Sequence, residues 1–289
     1  MGDDSISHRM IQTSSIRLHI TQAGPKSGPV LIFLHGFPEF WYSWRHQISY
    51  FANRGYRVIV PDQRGYHLSD KPAAVSNYRI PVLAQDVLEI LQAEGIDQAE
   101  MLVGHDWGGA LSWYLAEHHG THFKRVAILN VPHPLTMRRE ILTSWSQLKK
   151  SWYILLFQLP GIPERLLMKD ECLALTTMMQ KTAPKHTFSK ADLQKYVEAW
   201  QQPHAIKSML NWYRAAIRYP PQMRQHRITI PLLLIWGMKD HALNSIMAAP
   251  SLLTCENSRL VEIPEASHWV QNDSPDEVNG ALTAFLQEK

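Results

Sequence analysis

Val103-Gly104-His105-Asp106-Trp107-Gly108-Gly109 is the stretch on which the reading of this chain turns. The run leading into it, Ala99-Glu100-Met101-Leu102-Val103, is short and mostly apolar, the mark of a buried strand. The run that follows, Ala110-Leu111-Ser112-Trp113-Tyr114-Leu115-Ala116, reads as a helix. Small residues crowd the bend between the two and leave one acid, Asp106, at its centre. A carboxylate held at such a bend is a nucleophile in waiting.

Working outward, the same strand–helix rhythm repeats. Ile16–Ile20 alternates and predicts an early edge strand. Pro29–Leu34 is continuously apolar, as a strand covered on both faces should be, and ends in His35-Gly36-Phe37-Pro38-Glu39. A helix is expected from about Trp41 to Ala52, then a strand at Tyr56–Val60 running into Pro61-Asp62-Gln63-Arg64-Gly65-Tyr66. Leu83, Val87, Ile90 and Leu91 keep helical spacing, with Gly95 as a C-terminal cap. Val126–Asn130 is a further buried strand, followed by Val131-Pro132-His133-Pro134.

From about Pro134 to Arg227 the β-runs stop and Trp, Met and Lys become frequent. Ser189–Trp200 and Pro203–Arg218 read as helices, the first opened by a Ser189/Asp192 capping box and the second by Pro203 at its first position. Strands resume at Pro231–Trp236, which runs into Gly237-Met238-Lys239-Asp240, and at Ser258–Ile263. A loop then carries Ser267-His268-Trp269 before a closing helix at Asp276–Gln287. The expected architecture is α/β: a mostly parallel central sheet with helices on both faces and an inserted helical lid. The core would span 1–134 and 227–289, and the lid 135–226.

The bulk numbers agree. A chain of 289 residues, 45% hydrophobic and 19% charged, buries enough surface to need no staples. A formal charge of +3 without any Lys/Arg block argues against nucleic acid or an anionic membrane as partner. Cys172 and Cys255 fit neither a disulfide framework nor a metal spacing, so a reducing cytosol is the expected setting. The N-terminus is acidic and lacks the apolar segment of a leader, and Ile6 departs from the acylation pattern that Gly2 would otherwise suggest. No apolar run reaches the length of a membrane span.

Asp106, Asp240 and His268 each stand just past the end of an expected strand, on the sheet edge where ligands bind. Their order, nucleophile, acid, histidine, resembles the triad of α/β-hydrolases, and the bend at Asp106 resembles that fold's nucleophile elbow. A carboxylate nucleophile suits attack on saturated carbon, leaving an alkyl ester on Asp106. His268, oriented by Asp240, would then activate water against the ester. The oxyanion so formed would need two backbone N–H groups, expected from Phe37 and Trp107, with Pro38, in a cis peptide, aiming the former.

His35-Gly36-Phe37-Pro38-Glu39 with Trp41 and Trp44 is similar to the epoxide hydrolases of the α/β-hydrolase superfamily. So are Asp62–Tyr66, Gly104–Gly109, Asn130–Pro134 and His268-Trp269-Val270-Gln271. The resemblance covers almost the whole chain and is weakest in the lid. There, Ser151–Gly161 and Leu210–Arg214 resemble the segments bearing that family's epoxide-activating tyrosines, which implies Tyr153 and Tyr213. A phenol can donate a hydrogen bond and then a proton to the alkoxide formed by ring opening.

The resemblance implies hydrolysis of epoxides to vicinal diols, with no cofactor and no metal. The partners would be a small apolar epoxide and water, and the chain a monomer or homodimer. Phe37, Pro38 and Trp107 would form part of the substrate pocket. Two alternatives stand beside it: a haloalkane dehalogenase using the same nucleophile, and a non-catalytic ligand-binding protein of the same fold. Phe37 stands where those dehalogenases typically carry a halide-binding Asn, and Trp107 where fluoroacetate dehalogenases carry Arg. His67 and Ser267 depart from the epoxide hydrolase pattern, where Gly is usual, and His105 and His133 read as scaffold.

Overall fold

Short, continuously apolar runs can be buried only if both faces of the sheet they form are covered. The computed structural model describes residues 6–223 and 227–288. Residues 1–5, read above for a leader and an acylation signal, and the expected lid boundary at 226 lie outside the described residues. Among the described residues, eight strands form one sheet. They are β1 (Ser7–Gln12), β2 (Arg17–Ala23), β3 (Val30–Leu34), β4 (Arg57–Pro61), β5 (Met101–His105), β6 (Val126–Leu129), β7 (Leu232–Gly237) and β8 (Ser258–Ile263). Their order is β1-β2-β4-β3-β5-β6-β7-β8. β1 and β2 join antiparallel and every pair from β4 to β8 is parallel.

Alternate residues of each apolar run face opposite ways and build two cores. Leu31, Phe33, Met101 and Val103 pack with Ile48 and Phe51 of α1 (Arg45–Ala52) and Val278, Leu282 and Phe285 of α12 (Pro275–Gln287). Ile32, Leu34, Leu102 and Ile128 pack with Leu83 and Val87 of α2 (Ile80–Ala93) and Leu111 and Leu115 of α3 (Trp107–His118). Between β6 and β7 the described residues form six helices: α4 (Pro134–Thr143), α5 (Trp145–Lys150), α6 (Trp152–Leu156), α7 (Ile162–Thr182), α8 (Lys190–Trp200) and α9 (Ala205–Arg218). Two short helices, α10 (Ala248–Ser251) and α11 (Val270–Asp273), precede α12. No helix among the described residues is long and apolar enough to cross a membrane.

Two expectations need correction. The strand expected at Ile16–Ile20 is β2, and it is not an edge: β1 pairs along one side of it and β4 along the other. β1 is mostly exposed and polar, so no apolar pattern announces it; its pairing with β2 holds it. Pro203 does not open a helix either. The chain turns between α8 and α9, and His204, at φ 65°, caps the second. The capping box at Ser189 and Asp192 is present as expected, as is the cis bond before Pro38.

β3 lies between β4 and β5, so the connections leaving β3 and β5 diverge over opposite faces. A crevice opens at such a switch point, beyond the carboxyl ends of the strands. The close approach of α3 to β3 beneath this crevice depends on Gly108, where an added Cβ would sit 2.2 Å from the Leu34 carbonyl oxygen. Gly108→Ala should therefore destabilise the protein by about 1–3 kcal/mol through overpacking. Urea denaturation measures this, and an unchanged midpoint would contradict the packing described.

Candidate active site

The bend at the head of β5 forces its central residue into a rare conformation. Asp106 has φ 49° and ψ −116°, with α3 starting at the next residue. Across the switch point, the backbone N–H of Phe37 donates to Asp106 Oδ1 at 2.8 Å. Gly36 makes this approach possible, since a Cβ there would lie 2.5 Å from that of Asp106. The Trp107 N–H opens α3, where leading amides have no partner within the helix.

His268 follows β8 on a loop and reaches both acids. Its Nδ1 lies 2.8 Å from Asp240 Oδ2, and its Nε2 lies 3.6 Å from Asp106 Oδ2. The second distance is too long for a hydrogen bond, so Oδ2 faces the imidazole without being locked to it. Burial disfavours charge on His268, but Asp240 and Asp106 outweigh it and hold the imidazole well above its ordinary value. Burial likewise raises both acids, and the imidazolium and local donors bring each below the usual carboxylate range.

Asp240 is held at both oxygens. Oδ1 accepts from the N–H groups of Ala242 and Leu243, at 2.7 and 2.9 Å. Oδ2 accepts from Asn130 Nδ2 at 2.8 Å, while Asn130 Oδ1 accepts from the Gly237 N–H at 2.9 Å. Asn130 follows β6 at φ 46°. The sequence reading places it as the last residue of a strand and in a motif; the structure ends that strand at Leu129, and a polar residue closing an otherwise apolar run was the available signal.

A second buried network backs the imidazole. His105 Nε2 lies 2.8 Å from the His268 carbonyl oxygen, and its Nδ1 lies 2.7 Å from Glu39 Oε2. Glu39 also accepts from the Gly36 N–H at 3.0 Å and from Gln271 Nε2 at 2.9 Å. Ser267 tethers the His268 loop, donating from its N–H and hydroxyl to Asp273 Oδ2 at 2.7 and 2.6 Å. His133 caps α4 and stacks edge-on to Trp113, and burial pushes it down to about 4.

Above the acids lies a cavity of about 520 Å³. Asp106, Trp107, Tyr153 and Tyr213 all line it, and the rest of its wall is mostly apolar, with Ile80, Val131, Met137, Ile141 and Leu243. Tyr153 rises from α6 and Tyr213 from α9, with ring centres 5.9 Å apart. Burial, with the charge on Asp106 added, pushes both phenols well above their ordinary value; a hydrogen bond from Trp107 to Tyr213 acts in the opposite sense. Both are un-ionised donors at neutral pH. Phe37 and Pro38, expected in the pocket wall, are not among the described residues that line it. The Phe37 ring packs instead against Tyr213 and Phe157, and the Pro38 carbonyl is taken by the Trp200 indole N–H.

A strained elbow at the switch point of such a sheet, facing a histidine backed by an acid, defines a hydrolase of the α/β class. The family model described as the alpha/beta hydrolase fold matches residues 29–275, and the chain belongs to that family. Among its relatives is an AB hydrolase superfamily protein of Bacillus subtilis, YfhM, 38% identical over 99% of this chain and 100% of that one. Epoxide hydrolase 1 of Caenorhabditis elegans is 38% identical over 97% of this chain and 70% of its own length. A crystal structure of a variant of the Bacillus megaterium epoxide hydrolase superposes with a TM-score of 0.89 at 29% identity, covering 97% of this chain and 100% of that one.

Asn130→Ala tests the anchoring of Asp240. Asp240 titrates below its unfolded value, so it contributes stability above the ordinary carboxylate range and loses it as pH falls through its lowered value. Removing the Asn130 donor should destabilise the protein by about 1.5–3 kcal/mol at pH 7. That gap to wild type should narrow on acidification, when Asp240 takes up a proton. Thermal midpoints across the acid range measure it, and a gap independent of pH would refute the assignment.

Proposed function

We propose that this chain is an epoxide hydrolase that converts apolar epoxides to vicinal diols through an ester on Asp106. One observation carries the reading: Asp106 lines one apolar cavity together with two un-ionised phenols, while its Oδ2 faces, at 3.6 Å, an imidazole paired to a second carboxylate. The relatives named epoxide hydrolases supply independent support.

Asp106 Oδ2 attacks one ring carbon from the face opposite the epoxide oxygen, and that carbon's bond to the oxygen breaks. Tyr153 and Tyr213 bind the epoxide oxygen, and one of them gives its proton to the emerging alkoxide. The ester removes the negative charge of Asp106, which had helped hold the proton on His268. The imidazolium can then return a proton to the phenolate and become the base for the second half of the reaction. Water, deprotonated by His268, adds to the ester carbonyl. The oxyanion develops on Oδ1, already held by the Phe37 N–H, with Trp107 as the second donor. Collapse releases the diol and restores Asp106 and the protonated His268.

Residues 135–226 act in this reading as a lid that supplies the phenols and the apolar wall. The chain works without a cofactor, as a monomer or homodimer, in a reducing cytosol.

The mechanism makes two demands. In a single turnover in ¹⁸O-labelled water, the label should enter Asp106, and the diol should carry an unlabelled enzyme oxygen. His268→Gln should accumulate the ester, seen by mass spectrometry as Asp106 heavier by one epoxide; a diol labelled in the first turnover, with no adduct in the variant, would exclude the ester. A Tyr153→Phe, Tyr213→Phe double variant should lose about 10²–10⁴-fold in epoxide turnover. Haloalkane turnover by wild type, unaffected by that double change and unaccompanied by diol formation from any epoxide, would favour the dehalogenase reading instead.

A further inference from the structure

His67 was singled out by the sequence because a glycine usually stands there, and catalysis gives it no task. Its backbone lies at φ 38°, where glycine is unstrained and a residue with a β-carbon is not. Its ring makes a polar contact from that position: His67 Nδ1 lies 2.8 Å from Asp62 Oδ2. The same oxygen lies 2.6 Å from Nδ1 of His19, a residue of β2. The three potential donor atoms lie within 4.8 Å of one another. Asp62 and His19 are buried, whereas the His67 side chain is 16% exposed and opens the cluster to solvent. None of the three is among the described residues lining the catalytic cavity.

We propose that His19, Asp62 and His67 form a site for a divalent transition-metal ion of the zinc type. Two imidazole nitrogens and one carboxylate are a donor set for zinc, cobalt or nickel, and a poor one for calcium or magnesium, which prefer oxygen throughout. In a tetrahedral site with bonds of about 2.0–2.2 Å, donor atoms stand about 3.3 Å apart. The 2.6 and 2.8 Å contacts here are hydrogen bonds. The ion would replace the two Nδ1 protons, and the donors would spread by about 0.5–0.7 Å. Water would complete the shell at the exposed edge beside His67.

Among the described residues, these three are the group of side chains whose donor atoms could hold an ion. His8 stacks on the His19 ring with centres 5.2 Å apart, and its Nδ1 is engaged by Thr21 Oγ1 at 3.1 Å. Lys71 places its ammonium on the carbonyls of His67 and Ser69, so it is the cation the ion must tolerate. The ion would clamp β2 to the loop that follows β4. That loop already supports the turn leading out of the Phe37–Pro38 segment, since Asp62 Oδ1 accepts from the Trp41 N–H at 3.0 Å. The site is structural, and the reaction does not pass through it.

The test uses the full chain without an affinity tag, freed of metal by chelation. Calorimetric titration with Zn²⁺ should give one ion per chain with micromolar or tighter affinity and a higher thermal midpoint. Co²⁺ should give the visible absorption of a site of low coordination number. His67→Gly should weaken Zn²⁺ binding at least tenfold and leave epoxide turnover unchanged. Its midpoint in chelator should not fall below that of wild type, because glycine relieves the backbone. His19→Gln should weaken binding as well. No saturable binding up to millimolar Zn²⁺ would overturn the proposal. So would equal binding by wild type and His67→Gly, which would place the ion elsewhere among the fifteen histidines.

Discussion

The structure depends on holding one carboxylate in a conformation that its own backbone disfavours. A non-glycine residue at positive φ costs on the order of 1–3 kcal/mol, and such a residue persists only where the surroundings over-determine it. Around Asp106 they do. β5 is paired on both sides, α3 begins immediately, and Gly36 and Gly108 let neighbouring backbones come within reach of the bend. The parallel sheet is the frame that makes this strain sustainable. The same geometry brings the Phe37 N–H to Oδ1 and leaves Oδ2 turned towards His268.

The electrostatics follow from one cation shared by two anions. Burial opposes every charge in the group, yet His268 keeps its proton because two carboxylates flank it. Each acid has a different supporting set. Asp240 is satisfied by Asn130 and two backbone amides, which fixes it as a permanent partner. Asp106 has fewer ties and a cavity beside it. Two carboxylates with one imidazole between them are thus made unequal by their hydrogen bonds, the arrangement needed if one is to be consumed and regenerated while the other stays put.

Much of this was legible in the sequence, for physical reasons. Continuous apolar runs and small residues at Gly104–Gly109 leave few alternatives to a parallel sheet with a tight bend. Three polar residues just past strand ends must come to one sheet edge. The misses were of another kind. β1 carries no apolar pattern because only pairing with β2 holds it. The turn before α9 displaced Pro203, since capping depends on where neighbouring helices must end. The Phe37 ring turned into the aromatic packing rather than the pocket, a choice set by Phe157 and Tyr213 from far along the chain. Asn130, and the Glu39–His105–Gln271 network, act through contacts that no local spacing encodes.

Two indole N–H groups bear on how the cavity empties. Trp200 of α8 donates to the Pro38 carbonyl, and Trp212 of α9 donates to the Arg64 carbonyl. Both bonds are buried, so parting either would strand polar groups at about 1–3 kcal/mol apiece. α4 and α6, by contrast, contain no fully buried residue. Elements with few buried contacts open first. The two phenols therefore stand on unequal ground: Tyr213 on an anchored wall, Tyr153 on a yielding one. Of the two walls, the one bearing Tyr153 is held by fewer buried contacts, while Tyr213 is pinned beside Asp106 through the Trp212 bond on the same helix.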